Sequence, residues 1–562
     1  MGQPNADQDD ILASDPAADK SAVSGSRFVA LIRRHWLFGA LLLGGAVLRW
    51  LTMLAYAPAL LYIDSFRYLY NLKELDPTQL NPIGYQLFLL KPTLFVTHSL
   101  QGVVLVQHVL GLGLALGVYL LLVRRGARTW VAAVASAPVL LDAYQVQIEH
   151  NIMSDLIFEV LLLLAVLLLV WNGAPRAPTT VIAGLLLAAA VITRSVAIPL
   201  VVPAAVYVLL AARRRNDEER RPWLRRIGAS AALVGGFALG LFSYASYFYS
   251  IEGEWGLAGS SSRVLYGRTA TVADCTKLDL NPAEKPLCPK EPLGKRYGVD
   301  VYTHGLKGWD PRALELADAY GGLDKTTKSF AYKVLRTQPL DVARPIVRDF
   351  MKNFALKRET APEDVPVYRW QFQTEYPMWG LDSPRAVRDF GGPPISVDPE
   401  IASFLRNYQL TVGYLPGVVL GGALLLSIAG MFGIGRARRS DLRSACLLVG
   451  GLGAALLLTS SAFEFSWRYQ WPTLVLIPLA GGLGWTALTR GRQRAGGEPP
   501  SKADADSPDG GPDGGPDGGP DDGPDDDPEA LDGAARAEDP TDEIAAERTD
   551  QIDQVDLRPT RP

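Results

Sequence analysis

Ten long apolar runs, separated by charged or turn-forming stretches, dominate the hydrophobic pattern of this chain. They cover residues 36–60, 100–123, 129–147, 152–171, 179–193, 196–212, 227–249, 409–434, 442–460 and 469–488. A helix needs roughly 17–25 apolar residues to cross about 30 Å of hydrocarbon. The pattern therefore predicts an all-α polytopic membrane protein of about ten transmembrane helices. The fifth and sixth runs are short, and merging them would give nine. Charge decides between the two counts. With ten spans, Arg33/Arg34, Arg124/Arg125/Arg128, Arg176, the arginines between 213 and 226, Arg436/Arg438/Arg439 and Arg490/Arg492/Arg494 all fall on one side. With nine, the later clusters change sides against the positive-inside rule. Ten spans place both termini in the cytoplasm, in a multi-pass protein of the cell membrane.

The same reading divides the chain. Residues 1–26 are polar and small, and a disordered cytoplasmic N-terminus is expected over 1–35. Residues 36–249 hold spans one to seven, with a first exterior loop at 61–99. Residues 250–408 form an exterior, α-rich loop domain, residues 409–488 hold spans eight to ten, and 489–562 form a disordered cytoplasmic tail. From Glu498 onward there are 21 acidic against 5 basic residues, leaving a body with 50 basic against 38 acidic. Repeats such as Pro508-Asp509-Gly510-Gly511 cannot bury a core. A mean hydropathy of +0.10 over 562 residues excludes an ordinary soluble enzyme. Nothing in the pattern points to nucleic acid.

Three cysteines exclude a disulfide-built scaffold, and their spacing with the histidines matches no zinc pattern. Cys275 and Cys288 enclose 12 residues on the exterior side and are expected to pair. Cys446, inside the ninth span, is expected to be an inert core thiol. In the exterior domain Ala343, Ile346, Val347, Phe350, Met351 and Phe354 recur at helical spacing, with Arg344, Arg348 and Lys352 between them. Such a helix either packs on protein or lies on the membrane surface.

Candidate chemistry gathers at the exterior ends of the spans. After the first span, residues 62–71 form a helix placing Asp64, Arg67, Tyr68 and Asn71 on one face. Residues 81–85 break it, and a second short helix leads to Lys91. The hairpin between spans three and four carries Glu149, His150 and Asp155, with Asp142 and Glu159 at membrane depth. Ionisable groups at that depth cost at least about 2.5 kcal/mol each, so they line cavities or pair across helices. Arg194 turns the short hairpin of spans five and six, Arg468 opens the last span, and Arg49 lies within the first. Guanidinium groups on one face cradle a lipid phosphate through paired donors.

In these residues the chain resembles the GT-C superfamily of integral-membrane glycosyltransferases, in a form like actinobacterial members. The resemblance rests on Asp64 in an amphipathic first exterior loop, Glu149 and Asp155 in the second, Thr193-Arg194 at the short hairpin, and Trp467-Arg468-Tyr469 to Pro472 opening the final span. One departure stands out: Asp64 is followed by Ser65, where the protein-mannosylating branch carries Asp-Glu. The resemblance implies inverting transfer of a sugar from a polyprenyl-phosphate donor, the lipid-linked co-substrate, to a glycan, lipid or protein acceptor of the cell envelope. It implies Asp64 as general base and Arg194, Arg468, Arg67 and Lys91 as partners of the donor phosphate. Glu149, His150 and Asp155 are left to orient the acceptor or to bind a divalent metal (Mg or Mn). A multi-pass lipid or solute transporter or flippase is the alternative, although no internal repeat marks one.

Overall fold

The computed structural model describes residues 16–173, 175–211, 222–259, 261–305 and 311–490. Among these, helices build nearly everything. The first half contains α1 (Pro16–Ala55), α2 (Ile63–Tyr70), α3 (Lys91–Thr97), α4 (Leu100–Arg124), α5 (Thr129–Leu141), α6 (Ala143–Glu149), α7 (Asp155–Val170), α8 (Ala177–Thr193), α9 (Val201–Ala211) and α10 (Pro222–Glu252). Then come α11 (Ser261–Ala270), α12 (Val299–His304), α13 (Pro311–Ala319), α14 (Leu323–Thr337), α15 (Pro339–Lys352), α16 (Asp382–Phe390) and α17 (Pro399–Thr411). The chain closes with α18 (Gly417–Phe432), α19 (Arg443–Phe463) and α20 (Thr473–Thr489).

Among the described residues, five helical segments are long and apolar enough to cross a membrane: Ile32–Ala55, Leu100–Arg124, Trp223–Glu252, Arg443–Phe463 and Trp467–Thr489. A sixth is the pair α5 and α6, bent by 53° at Asp142. The bend has a local cause. Asp142 leaves the helix and accepts from the backbone N–H of Tyr144 at 3.0 Å, capping α6 as α5 ends. Shorter apolar helices occupy Ala177–Thr193, Ser195–Ala211 and Gly417–Phe432. The eighth expected run is thus split. α17 precedes it, capped by Asp398 and started by Pro399, and the apolar helix begins only at Gly417. α8 and α10 approach through Gly184 and Gly236, where a Cβ would meet the opposing backbone.

The basic ends of α4 and α20 lie together at one end of the bundle. Arg125, after α4, donates to Asp441 before α19 at 2.8 Å. Arg490, after α20, donates to the Gly126 carbonyl. The ends of α1, α6 and α8 and the starts of α7 and α20 meet at the opposite end, where the carboxylates expected from sequence gather.

α1 starts at Pro16, so residues 16–35 continue the first apolar helix. Helix growth beyond a nucleated segment costs little where the added residues are tolerant helix formers. Residues 250–408 share one compact unit with the apolar helices among the described residues. One part does have its own small core of Tyr266, Ala270, Ala273, Leu287, Phe330, Val334 and Val342, beside the Cys275–Cys288 disulfide. The rest folds back on the helical bundle. Ser396–Val397 pairs antiparallel with Tyr56–Ala57 at the end of α1, with Tyr56 opposite Val397. Cys446 is a buried free thiol, as expected. The acidic tail beyond Arg490 and residues 1–15 lie outside the described residues.

Candidate functional site

α2 forms directly after α1, and its start is closed by Ser65, whose hydroxyl accepts from the Tyr62 N–H at 2.9 Å. This puts Asp64 in the first turn, pointing at the start of α20. There the Arg468 guanidinium lies between two carboxylates. Its Nη1 donates to Asp64 Oδ2 at 3.1 Å, its Nη2 to Asp155 Oδ2 at 2.7 Å, and its Nε to both Asp155 oxygens at 3.2 and 3.1 Å. Arg194, at the end of α8, donates to Asp155 Oδ1. Arg67 donates to Asp64 Oδ1 at 2.9 Å from one turn along α2, and Asn81 to the same oxygen at 3.3 Å. Three guanidinium groups thus share two carboxylates, an excess of positive charge. Asp155 is fully buried, whereas the Asp64 side chain is 17% exposed, so the cluster opens on the Asp64 side. Asp155 also gains from its place in the first turn of α7, at the positive end of the helix dipole.

Burial alone would raise the Asp64 carboxyl. Arg468 first, and then Arg67, outweigh it and hold that carboxyl below the usual carboxylate range. Tyr68 donates to Ser154 Oγ at 3.0 Å. Its phenol is pushed up to about 12 by burial and by Asp64, so it keeps its proton.

An aromatic roof covers the cluster from the far side of the sequence. Trp370 lies 5.2 Å from the Arg468 guanidinium and 4.8 Å from the Tyr62 ring. Trp379 meets Tyr62 edge-on and donates its indole N–H to the Leu61 carbonyl at 3.0 Å. Arg369 donates to the Tyr62 hydroxyl at 3.2 Å. Further in, Trp370 meets Trp471, Trp471 stacks on Tyr144, and Arg358 sits 4.4 Å from the Tyr144 ring. Arg358 donates to Asp142 and Gln470. Among the described residues, four buried donors of this ladder have no partner: the Trp370 and Trp471 indole N–H groups and Arg358 Nε and Nη1. Buried donors without acceptors match a substrate rich in oxygen acceptors.

A second polar cluster is sealed inside the bundle. Arg49 donates to both Glu149 oxygens, at 2.8 and 2.7 Å, and to the carbonyls of Gly45, Leu140 and Val139. All its donors are thereby used, and it takes no part in the Asp64 cluster. His108 contacts Glu149 at 3.1 Å and His150 at 3.1 Å. His150 Nε2 faces the Tyr56 carbonyl at 2.9 Å, so that nitrogen carries a ring proton. Gln145 bridges Glu149 and Glu159. Gln107 holds the carbonyls of Glu149 and Asn151. Leu60 and Asn151 form a parallel bridge here, so this buried cluster fixes the two segments that lead to Asp64 and Asp155.

The expected residues therefore divide. Asp64, Arg67, Arg194, Arg468 and Asp155 come together. Lys91 does not. It lies exposed on the face of the 86–97 helix shared with Phe88 and Phe95 and joins none of the cluster's ion pairs. Glu149 and His150 belong to the sealed cluster and do not converge with Asp155. Their polar atoms are already engaged by Arg49, His108 and Tyr56, and Asp155 by two arginines, so these three side chains do not fit a divalent metal. Sequence reasoning missed His108, Arg358, Arg369 and the part played by Trp370. Gln107-His108 within a 25-residue apolar helix was a usable signal; Arg358 and Arg369 lie in an aperiodic stretch that offered none.

Gly84 joins the segment after α2 to the Arg194 turn. A Cβ there would come 2.5 Å from the Ile192 carbonyl oxygen and the Thr193 hydroxyl. Gly84→Ala is expected to force the 81–85 segment, with Asn81, away from α8. It should destabilise by about 1–3 kcal/mol, as overpacking against fixed backbone does. Thermal unfolding of the detergent-solubilised protein measures this, and an unchanged midpoint would show that the contact is not tight.

Comparisons with protein-family models, curated proteins and solved structures return no match for this chain.

Proposed function

We propose that this protein is a multi-pass membrane glycosyltransferase that moves a sugar from a polyprenyl-phosphate donor to a cell-envelope acceptor on the outer face of the membrane. The observation that carries the reading is Arg468 shared between Asp64 and Asp155, with Arg194 and Arg67 beside it. The topology takes the five long apolar segments, the bent α5–α6 pair and the shorter α7, α8, α9 and α18 as ten spans. With the basic connections at one end facing the cytoplasm, both termini are cytoplasmic and the Asp64 cluster lies outside. A groove of about 730 Å³ between α5, α18 and α20 offers apolar walls for an isoprenoid chain, and Asp142, bound by Arg358, marks its outer end.

Chemically, the acceptor hydroxyl oxygen bonds to the anomeric carbon as the bond from that carbon to the phosphate oxygen breaks. The phosphate leaves with the bonding electrons, and the hydroxyl proton passes to Asp64. Arg194 and Arg468 stabilise the charge that grows on the departing phosphate. In the substrate-free site the arginines hold Asp64 as a weak base. A donor phosphate competing for Arg468 loosens that hold, so donor binding raises the basicity of Asp64 when an acceptor is to be deprotonated.

The test is to incubate the purified protein with radiolabelled polyprenyl-phosphate sugars, one sugar at a time, and a cell-envelope extract. Label moving from lipid into envelope material is the expected result. Label that crosses a sealed vesicle membrane while still on its lipid would replace the transferase with a flippase.

A further inference from the structure

We infer that α15 is an interfacial helix that lies on the outer-leaflet surface and binds anionic phospholipid headgroups. This goes beyond the proposed transfer reaction and does not depend on what the Asp64 cluster catalyses.

The helix is amphipathic in an unusual sense. Its inward face carries Asp349, buried and bound by Arg268 at 2.9 Å, together with Val342. Its outward face carries the large apolar side chains: Leu340 is 71% exposed, Val347 57% and Met351 58%. On a helix, positions 340, 344, 347 and 351 fall on one stripe, so Arg344 stands within this apolar row. The Arg344 side chain is 79% exposed, with only a 3.4 Å contact to Asp341. Before the break at Gln338, α14 also ends in exposed Arg336 and carries exposed Tyr332. Apolar residues facing out, with arginine and tyrosine among them, are what a helix lying in the headgroup plane presents.

Its depth fits as well. α15 packs on α19. Directly after it, the Ala355 carbonyl accepts from the N–H of Gly417, the first residue of α18, at 2.9 Å. A Cβ on Gly421 would lie 3.4 Å from the Phe354 ring, so Phe354 reaches one turn down α18. The Asn353 carbonyl accepts from Gln470 at the start of α20. The C-terminal end of α15 therefore sits at the level where apolar helices begin. Exposed Met351 and Leu356 run on into the exposed Val418, Val419 and Leu425 of α18. The apolar stripe continues the lipid-facing surface of the bundle, and arginines on that surface find phosphate oxygens.

The full chain suits a thiol probe. Cys275 and Cys288 are bonded and Cys446 is buried, so Val347→Cys adds the reactive thiol. It would carry a polarity-sensitive dye in nanodiscs of phosphatidylcholine alone or with phosphatidylglycerol, and Lys295→Cys would serve as the exposed reference. The expected result at 347 is a blue-shifted emission, quenching by a nitroxide on the lipid headgroup, and loss of iodide quenching. Position 295 should show the reverse. Phosphatidylglycerol should strengthen nitroxide quenching at 347, and Arg336→Ser with Arg344→Ser should remove that gain. Iodide quenching at 347 equal to that at 295 overturns the inference. Protection from iodide without nitroxide quenching, as contact with a second copy would give, also overturns it. Nitroxide quenching that ignores lipid charge overturns the anionic headgroup.

Discussion

Arg468→Met is expected to abolish transfer and to destabilise the protein by up to about 3–5 kcal/mol, the range for removing one partner of a buried ion pair. The guanidinium is almost fully buried and makes four hydrogen bonds to Asp155 and Asp64. Without it, Asp155 keeps only Arg194, and two carboxylates face each other across a gap lined by Trp370 and Tyr68. Adding Asp155→Asn to the same chain removes one of the two facing carboxylates while leaving Arg194 an amide oxygen to donate to, so it should recover part of the stability and none of the transfer. That split separates the structural part of Arg468 from its work on the leaving phosphate. Arg468→Lys keeps a charge but loses the planar fork that reaches both carboxylates, so it should fall between the two in stability and still transfer poorly. Thermal midpoints in detergent and initial transfer rates measure both quantities. A wild-type midpoint and rate in Arg468→Met would remove this residue from the site.

Asp64→Asn is expected to lower transfer by about 10²–10⁴-fold, the range for losing a general base, with a much smaller effect on the thermal midpoint. The shape is kept, and only the basicity and the charge are lost. Asp64 is partly exposed and its Arg67 partner more so, which limits what the pair adds to stability. The pH dependence follows from the direction of its shift. A carboxyl held below its unfolded value of about 3.9 adds stability above that pH and loses it as the pH falls through the folded value. Between pH 5 and 8 the free enzyme should therefore show no acid limb from Asp64 in kcat/KM. With donor bound to Arg468 the carboxyl rises, so the acid limb of kcat should lie at higher pH than that of kcat/KM. Arg67→Gln should move both limbs upward. Transfer by Asp64→Asn at the wild-type rate would assign the base elsewhere.

The two clusters were legible to different degrees. Asp64 and Arg67 could be placed together because both lie on one short amphipathic helix, and spacing along a helix is a local property. Arg194 and Arg468 could be placed at the same membrane face because span parity carries position across the whole chain. Which arginine meets which carboxylate was not legible. Arg468 is 404 residues from Asp64 and 313 from Asp155, and no periodicity connects positions so far apart. Arg49 looked like a third phosphate ligand on grounds of depth. The packing of α1 against α5 gives it Glu149 and three carbonyls instead, and a fully bonded buried guanidinium has no donor left to offer.

By itself, the sequence determined what transfer free energy determines: where apolar helices run, which end of each is basic, and that the ionisable groups at their other ends must find partners. It also pointed to the Cys275–Cys288 pairing, since both thiols lie near each other in one segment between apolar runs. Only the tertiary structure decided how those groups divide into one open, positively charged cluster and one sealed cluster behind it. It also decided that residues 367–379 fold back as an aromatic roof. The reason is physical: hydrophobicity is nearly independent of direction and can be read along the chain, whereas hydrogen bonds and ion pairs depend on ångström-scale geometry that exists only once the helices have packed.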